Sequence, residues 1–132
     1  MTTQHFHAII WVDHHEARIF HFNATDVVRV VVRPHDPTVH IHHKANTIGS
    51  GHAPIDSDFF RRVMDAVAAS GAIMIVGPSN AKTELATFIA DHYPALSSRV
   101  AIVEAADHPT DNEVVAQARR YFRANDRMRR YV

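Results

Sequence analysis

The chain contains no cysteine. A disulfide framework, a cysteine-ligated zinc ribbon and a thiol nucleophile are therefore excluded. Glycine is scarce, at four residues, so neither a Gly-rich repeat nor a collagenous chain is present. Long apolar runs are also missing: a stretch such as 72–76 falls far short of the ~20 residues that cross a bilayer. The opening Met1-Thr2-Thr3-Gln4-His5 has no basic n-region and no apolar h-region. These absences together lead to the expectation of a cytoplasmic protein with no membrane attachment. Net charge is absent as well, with 14 Lys plus Arg against 14 Asp plus Glu. That balance excludes a globally basic nucleic-acid binder but leaves room for a local basic patch.

What is present fits a single globular domain spanning 1–132. Hydrophobic residues make up 46% of the 132 and charged residues 21%. A chain of this length buries about two thirds of its unfolded surface, enough for a core without staples. Twelve of the 14 cations are Arg, and there are 12 His. The imidazoles can add charge as pH falls through ~6.5.

The first part of the chain has the composition of strands. Residues 6–12, 17–22 and 27–32 are rich in β-branched and aromatic side chains, separated by the short polar segments 13–16 and 23–26. Such spacing predicts an antiparallel meander. Residues 34–54 carry Pro34, Pro37 and Pro54 and no clear period, although 38–44 alternates weakly. A connection of that length is usually functional or mobile. Its Gly49-Ser50-Gly51 tip is expected to be exposed.

The period then changes to helical. Phe59, Phe60, Val63, Met64 and Val67 lie on one helix face, with Asp56 as the expected N-cap and Gly71 beyond the end. Residues 72–76 form a continuous apolar run, expected as a strand buried on both faces. The turn Gly77-Pro78-Ser79-Asn80 leads to a helix with Leu85, Phe88 and Ile89 inward. Residues 100–103 read as a second buried strand. Thr110 and Glu113 form a capping box for a last helix with Val114, Val115, Ala118, Tyr121 and Phe122 inside. A βαβ unit requires parallel pairing and a right-handed crossover. The expected fold class is therefore α/β: a mixed five-stranded sheet, meander then βαβ, flanked by helices in a ribonuclease-H-like architecture.

The segment Gly77-Pro78-Ser79-Asn80-Ala81-Lys82-Thr83-Glu84-Leu85 follows a buried strand and opens a helix. Free backbone N–H groups at such a turn favour an anion, and Lys82 adds charge. It is not a nucleotide P-loop, because it lacks the second Gly and is one residue short. A buried strand followed by Gly-Pro-x-x-x-Lys-x-Glu-Leu resembles a segment in the middle domain of eukaryotic and archaeal class I peptide-chain release factors. It is similar also to the equivalent segment of Pelota, their ribosome-rescue relative. The order of elements agrees over roughly residues 6–124. The segments Trp11-Val12-Asp13-His14-His15-Glu16-Ala17-Arg18-Ile19-Phe20 and Asp107-His108-Pro109-Thr110-Asp111 look like the small bacterial members labelled translational machinery proteins.

The resemblance implies a translational setting, with tRNA or the ribosome as partner and no cofactor. It also locates the family's Gly-Gly-Gln loop at Gly49-Ser50-Gly51-His52-Ala53-Pro54. Here a Ser separates the glycines, and His52 stands near where the Gln would be. His52 is thus the one candidate for a residual catalytic role, but the shorter ring does not carry over the release activity. The family's stop-codon-reading and partner-binding domains have no counterpart in a single domain.

Three further groups of residues bear on function. His40 and His42 share one face of an extended segment and are candidate metal ligands, with His14, His15, His35 and His52 as possible additions. Arg119, Arg123 and Arg127 fall in one i, i+4 row within the basic stretch 119–132, with Tyr121, Phe122 and Tyr131 interleaved. Such a row suits RNA phosphates, and Arg also stacks on bases. Asp13, Glu104, Asp107 and Asp111 are the carboxylates a two-metal nuclease would need. The favoured reading is a translation-associated RNA-binding protein whose contacts are Lys44, Gly49, Ser50, Gly51, His52, Lys82, Arg119, Arg123 and Arg127. A metal-dependent hydrolase or nuclease using His and carboxylates, and a protein-interaction module, are the alternatives.

Overall fold

The computed structural model describes residues 6–34 and 57–129, with side chains described as far as residue 124. Expectations that fall on 35–56 or 130–132 lie outside the described residues. These include the cap Asp56, the contacts Lys44, Gly49, Ser50, Gly51 and His52, and the ligands His40 and His42.

Strands β1 (His7–Val12), β2 (Ala17–Phe22) and β3 (Val27–Val32) form the expected meander. Both turns are closed by the same chemistry. The Asp13 carboxylate accepts the N–H groups of His15 and Glu16 at 2.8 and 2.9 Å. The Asn23 side-chain oxygen does the same for Thr25 and Asp26 at 3.0 and 2.8 Å. Short polar side chains that bond to the backbone two or three residues on are what such turns require.

Helix α1 (Ser57–Val67) returns the chain to β4 (Ala72–Gly77), which pairs parallel to β1. Helix α2 (Ala81–His92) and the single turn α3 (Pro94–Ser97) lead to β5 (Val100–Ala105), parallel to β4. The long α4 (Asp111–Arg129) follows. The sheet order is β3-β2-β1-β4-β5, the mixed five-stranded arrangement expected.

Alternation along the strands divides the core in two. Ala8, Ile10, Val12, Ile19, Ile73 and Ile75 face α1 and α2. Ile9, Trp11, Phe20, Phe22, Met74 and Val76 face α4, which covers them with Val114, Val115, Ala118 and Phe122. The central strand β4 is buried along its whole length, as its unbroken apolar run implies.

Strand β5 departs from expectation. It extends to Ala105 and lies at the sheet edge, where Ala101, Val103 and Ala105 are exposed. A short apolar run does not distinguish an edge strand from a central one, and a register shift opposite Ile73 and Met74 sends Val100 and Ile102 to opposite faces of the sheet. The turn α3, with Pro94 in its first positions, was not legible in the helical periodicity.

The end of α1 is held by two side chains from elsewhere in the chain. His21 Nε2–H on β2 donates to the Ala66 carbonyl at 2.7 Å. The Arg99 guanidinium donates to the carbonyls of Ala68 and Ser70, each at 3.2 Å. Helix ends leave carbonyls unpaired, and these side chains satisfy them.

Candidate nucleic-acid interface

Two regions carry the described members of the expected binding set. The first is the turn from β4 into α2. Gly77 lies against the end of β1, so close that a Cβ there would overlap the Val12 carbonyl oxygen. The following residues begin α2 at Asn80, whose side chain makes no capping bond. Lys82 does not point into open solvent: its amine donates to the Ser79 carbonyl at 2.6 Å. The lysine charge therefore sits folded over the turn. His14, in the β1–β2 turn, approaches Glu84 of α2 at 3.8 Å, so the two segments meet at the carboxyl edge of the parallel strands.

The second region is α4. Its start is the reciprocal capping box read from the sequence. The Thr110 N–H donates to the Glu113 carboxylate at 2.8 Å, and the Glu113 N–H donates to the Thr110 hydroxyl at 3.2 Å. Asp111, the next residue, is shared between Arg18 on β2 and Arg29 on β3, the latter at 2.8 Å. Arg18 also donates to the Pro109 carbonyl at 3.1 Å and lies 4.4 Å over the Trp11 ring. Trp11 Nε1–H donates to the Asp107 carbonyl at 2.9 Å. The loop between β5 and α4 is thus fastened to β1 and β2.

Further along α4, the expected Arg row divides. Arg119 donates to the backbone carbonyls of Asn23 and Asp26, both at 3.2 Å, and its guanidinium lies 6.0 Å from the Phe22 ring. It ties α4 to the β2–β3 turn. Arg123 and Arg120 are exposed. Arg127 belongs to the helix, but its side chain lies beyond those described.

The carboxylates do not converge. Asp13 closes its own turn, Glu104 accepts from Gln117 at 3.2 Å, Asp107 is beside His108, and Asp111 is held by two arginines. Among the described residues no group of three or more His, Asp or Glu is placed to hold a metal ion. Among them, too, no helix is long and apolar enough to cross a membrane.

Sequence reasoning missed Arg18 and Arg119 as structural cations. For Arg18 the signal was available: it shares strand parity with Phe20 and Phe22, so a charge stood on a core-facing position and required a partner. For Arg119 no local signal existed, because its acceptors are backbone carbonyls about a hundred residues away.

No protein-family model matches the chain, and no curated protein sequence does. Solved structures do match in fold. Pelota from Archaeoglobus fulgidus superposes with a TM-score of 0.61 at 13% identity, over 86% of this chain and 30% of that one. Pelota from Thermoplasma acidophilum gives 0.56 at 19% identity, over 84% and 30%. The archaeal translation termination factor aRF1 gives 0.52 at 18% identity, over 95% and 39%. The fold is therefore of the kind found in Pelota and this release factor, in keeping with the resemblance carried by the Gly-Pro turn. The chain spans about a third of the length of these proteins.

Proposed function

We propose that the protein is a translation-associated RNA-binding protein that contacts tRNA or the ribosome. The observation that carries this reading is the fold: nearly the whole chain superposes on one part of a translation termination factor and of two Pelota proteins. The exposed arginines of α4 supply a basic surface on a chain with no net charge. The hydrolase alternative gains no support, since Asp13, Glu104, Asp107 and Asp111 do not converge. The deciding experiment is co-sedimentation with ribosomes, and binding to tRNA, across a salt titration. Association that weakens steeply with salt is expected. A protein that remains unbound at low salt rules the reading out.

Changing Arg119, Arg123 and Arg127 together to Gln is expected to weaken binding about equally for every RNA sequence, because phosphate contacts carry no sequence information. Each lost contact flattens the plot of log affinity against log salt by about 0.7 to 0.9. The triple change also costs about 1 kcal/mol of stability, because Arg119 holds two turn carbonyls. Arg123→Gln alone leaves that latch intact and is the cleaner probe. An unchanged slope in both variants removes the row from the interface.

Release of peptide from peptidyl-tRNA is not expected to accompany binding, since Gly-Gly-Gln is replaced by Gly49-Ser50-Gly51-His52. A hydrolysis assay on ribosome-bound peptidyl-tRNA checks this. Release that disappears in His52→Ala would make His52 the substitute residue and overturn the expectation.

A further inference from the structure

The two edges of the sheet are built differently. Strand β5 carries devices that discourage pairing with another chain: its register against β4 is irregular at Ile73 and Met74, and it holds the carboxylate of Glu104. Strand β3, at the other edge, has neither. Val27–Val32 is all valine except Arg29, without proline, lysine or an acidic residue, and it pairs with β2 without a break. The one charge is already matched, since Arg29 meets Asp111 at 2.8 Å. Val27 is 42% exposed and Val28 47% exposed, and as neighbours in a strand they lie on opposite faces. Among the described residues no strand pairs with the outer side of β3.

The β2–β3 turn fixes which backbone groups point outward. The Asn23 N–H donates to the Asp26 carbonyl at 3.0 Å, so these residues form the hydrogen-bonded pair beside the turn. Hydrogen-bonded and non-hydrogen-bonded pairs alternate along an antiparallel ladder. Val28, Val30 and Val32 therefore direct their N–H and C=O groups at β2. Val27, Arg29 and Val31 direct theirs away from the sheet. An edge with such groups at alternate residues and valines on both faces is a template for a further strand. A second copy of β3 fits it in particular. A two-fold axis that relates antiparallel neighbours is normal to the sheet, so residues set opposite each other share a face. Centring the pair on Val30 sets Arg29 opposite Val31 and Val28 opposite Val32. No like charges are then directly opposed, and each Arg29–Val31 pair exchanges both of its N–H···O bonds. An unrelated strand could make the backbone bonds, but the second copy also brings valine to face valine.

We propose that β3 is a dimerisation edge, where two copies of this chain join β3 to β3, antiparallel about Val30, into one continuous sheet. The inference stands apart from the RNA-binding reading above. Val28, exposed in a single copy, comes to lie against Val32 of the second. Because the axis is normal to the sheet, both copies carry α4 on the same side of it.

The test is analytical ultracentrifugation of the full chain over a range of concentrations up to about 1 mM. The mass should rise from that of the 14.9 kDa chain towards twice that value. Val31→Pro removes an N–H that points outward, so it spares the bonds to β2 and deletes a donor from each copy. The dissociation constant should rise about thirtyfold. Val28→Lys changes an exposed side chain and no backbone group, yet sets an ammonium against Val32 of the second copy. It should weaken the dimer as well, and it decides the matter even where the proline disturbs folding. Val103→Lys, an equally conservative change at the β5 edge, should leave the mass unaltered. Hydrogen exchange gives a second readout. The amides of Arg29 and Val31 should gain protection as concentration rises, whereas those of Val28 and Val30 should be protected throughout. A monomer at every concentration overturns the proposal. So does a dimer indifferent to both β3 variants, which would lie on another surface. Protection of Arg29 and Val31 that does not depend on concentration overturns it too, because the chain would then cover its own edge.

Discussion

Gly77→Ala is expected to cost about 3 kcal/mol, the upper part of the range for overpacking a core. The new methyl would enter the space of the Val12 carbonyl oxygen, a backbone atom that no side-chain rotation can move. Relief would require β1 to part from β4. However, β1 is held in unbroken register with β2 from His7 to Val12, and the Gly77 carbonyl accepts the Ala106 N–H at 2.9 Å. Gly71 offers the contrast. A methyl there first meets the Phe6 ring, a half-exposed side chain rather than backbone, so Gly71→Ala should cost well under 1 kcal/mol. Urea unfolding followed by circular dichroism measures both. Equal midpoints for the two variants would show that the approach at Gly77 relaxes more easily than the geometry implies.

The second large effect concerns Trp11, which is 1% exposed. Trp11→Ala is expected to destabilise by about 4 kcal/mol, through lost burial and the cavity left behind. Trp11→Phe keeps much of the volume and isolates the polar part of the role. It removes the donor to the Asp107 carbonyl and reduces the surface over which Arg18 lies. Its cost should be about 1.5 kcal/mol, in the range for a partly buried acceptor left without its partner. Trp11→Phe matching the alanine variant would mean that the indole N–H, rather than packing, carries the residue's contribution.

Much of the fold could be read from the chain because local signals agreed with it. Asp13 and Asn23 marked turns that their own side chains close. The run 72–76 marked the buried central strand, and Thr110 with Glu113 marked the start of the last helix. The failures share a physical cause. Whether β5 sits at the centre or the edge depends on what lies beside it, and its composition is apolar in either case. Helix α3 is a single turn, too short for a period to develop. The site was less legible still. Lys82 looked like a free cation because its acceptor, the Ser79 carbonyl, is backbone and leaves no mark in the sequence. Arg119 looked like one more member of a solvent row for the same reason.

The two faces of the sheet are covered by parts of the chain that are synthesised at different times. The face bearing Ile10, Ile19 and Ile75 receives α1 and α2, whose residues flank β4 in sequence. Among the described residues, the opposite face, with Ile9, Trp11, Phe20 and Phe22, is covered by α4, through Val114, Val115, Ala118 and Phe122. A nascent chain that has emerged through β5 can therefore assemble all five strands before α4 is available to cover this apolar side of the sheet. Domains form as their segments become available, and exposed apolar surface in the interval invites aggregation or chaperone capture. The latch from Arg119 to the β2–β3 turn is then among the last contacts to close, joining a late helix to the earliest hairpin. The vulnerable period in biosynthesis is the time needed to extrude α4, and any pause in synthesis there lengthens it.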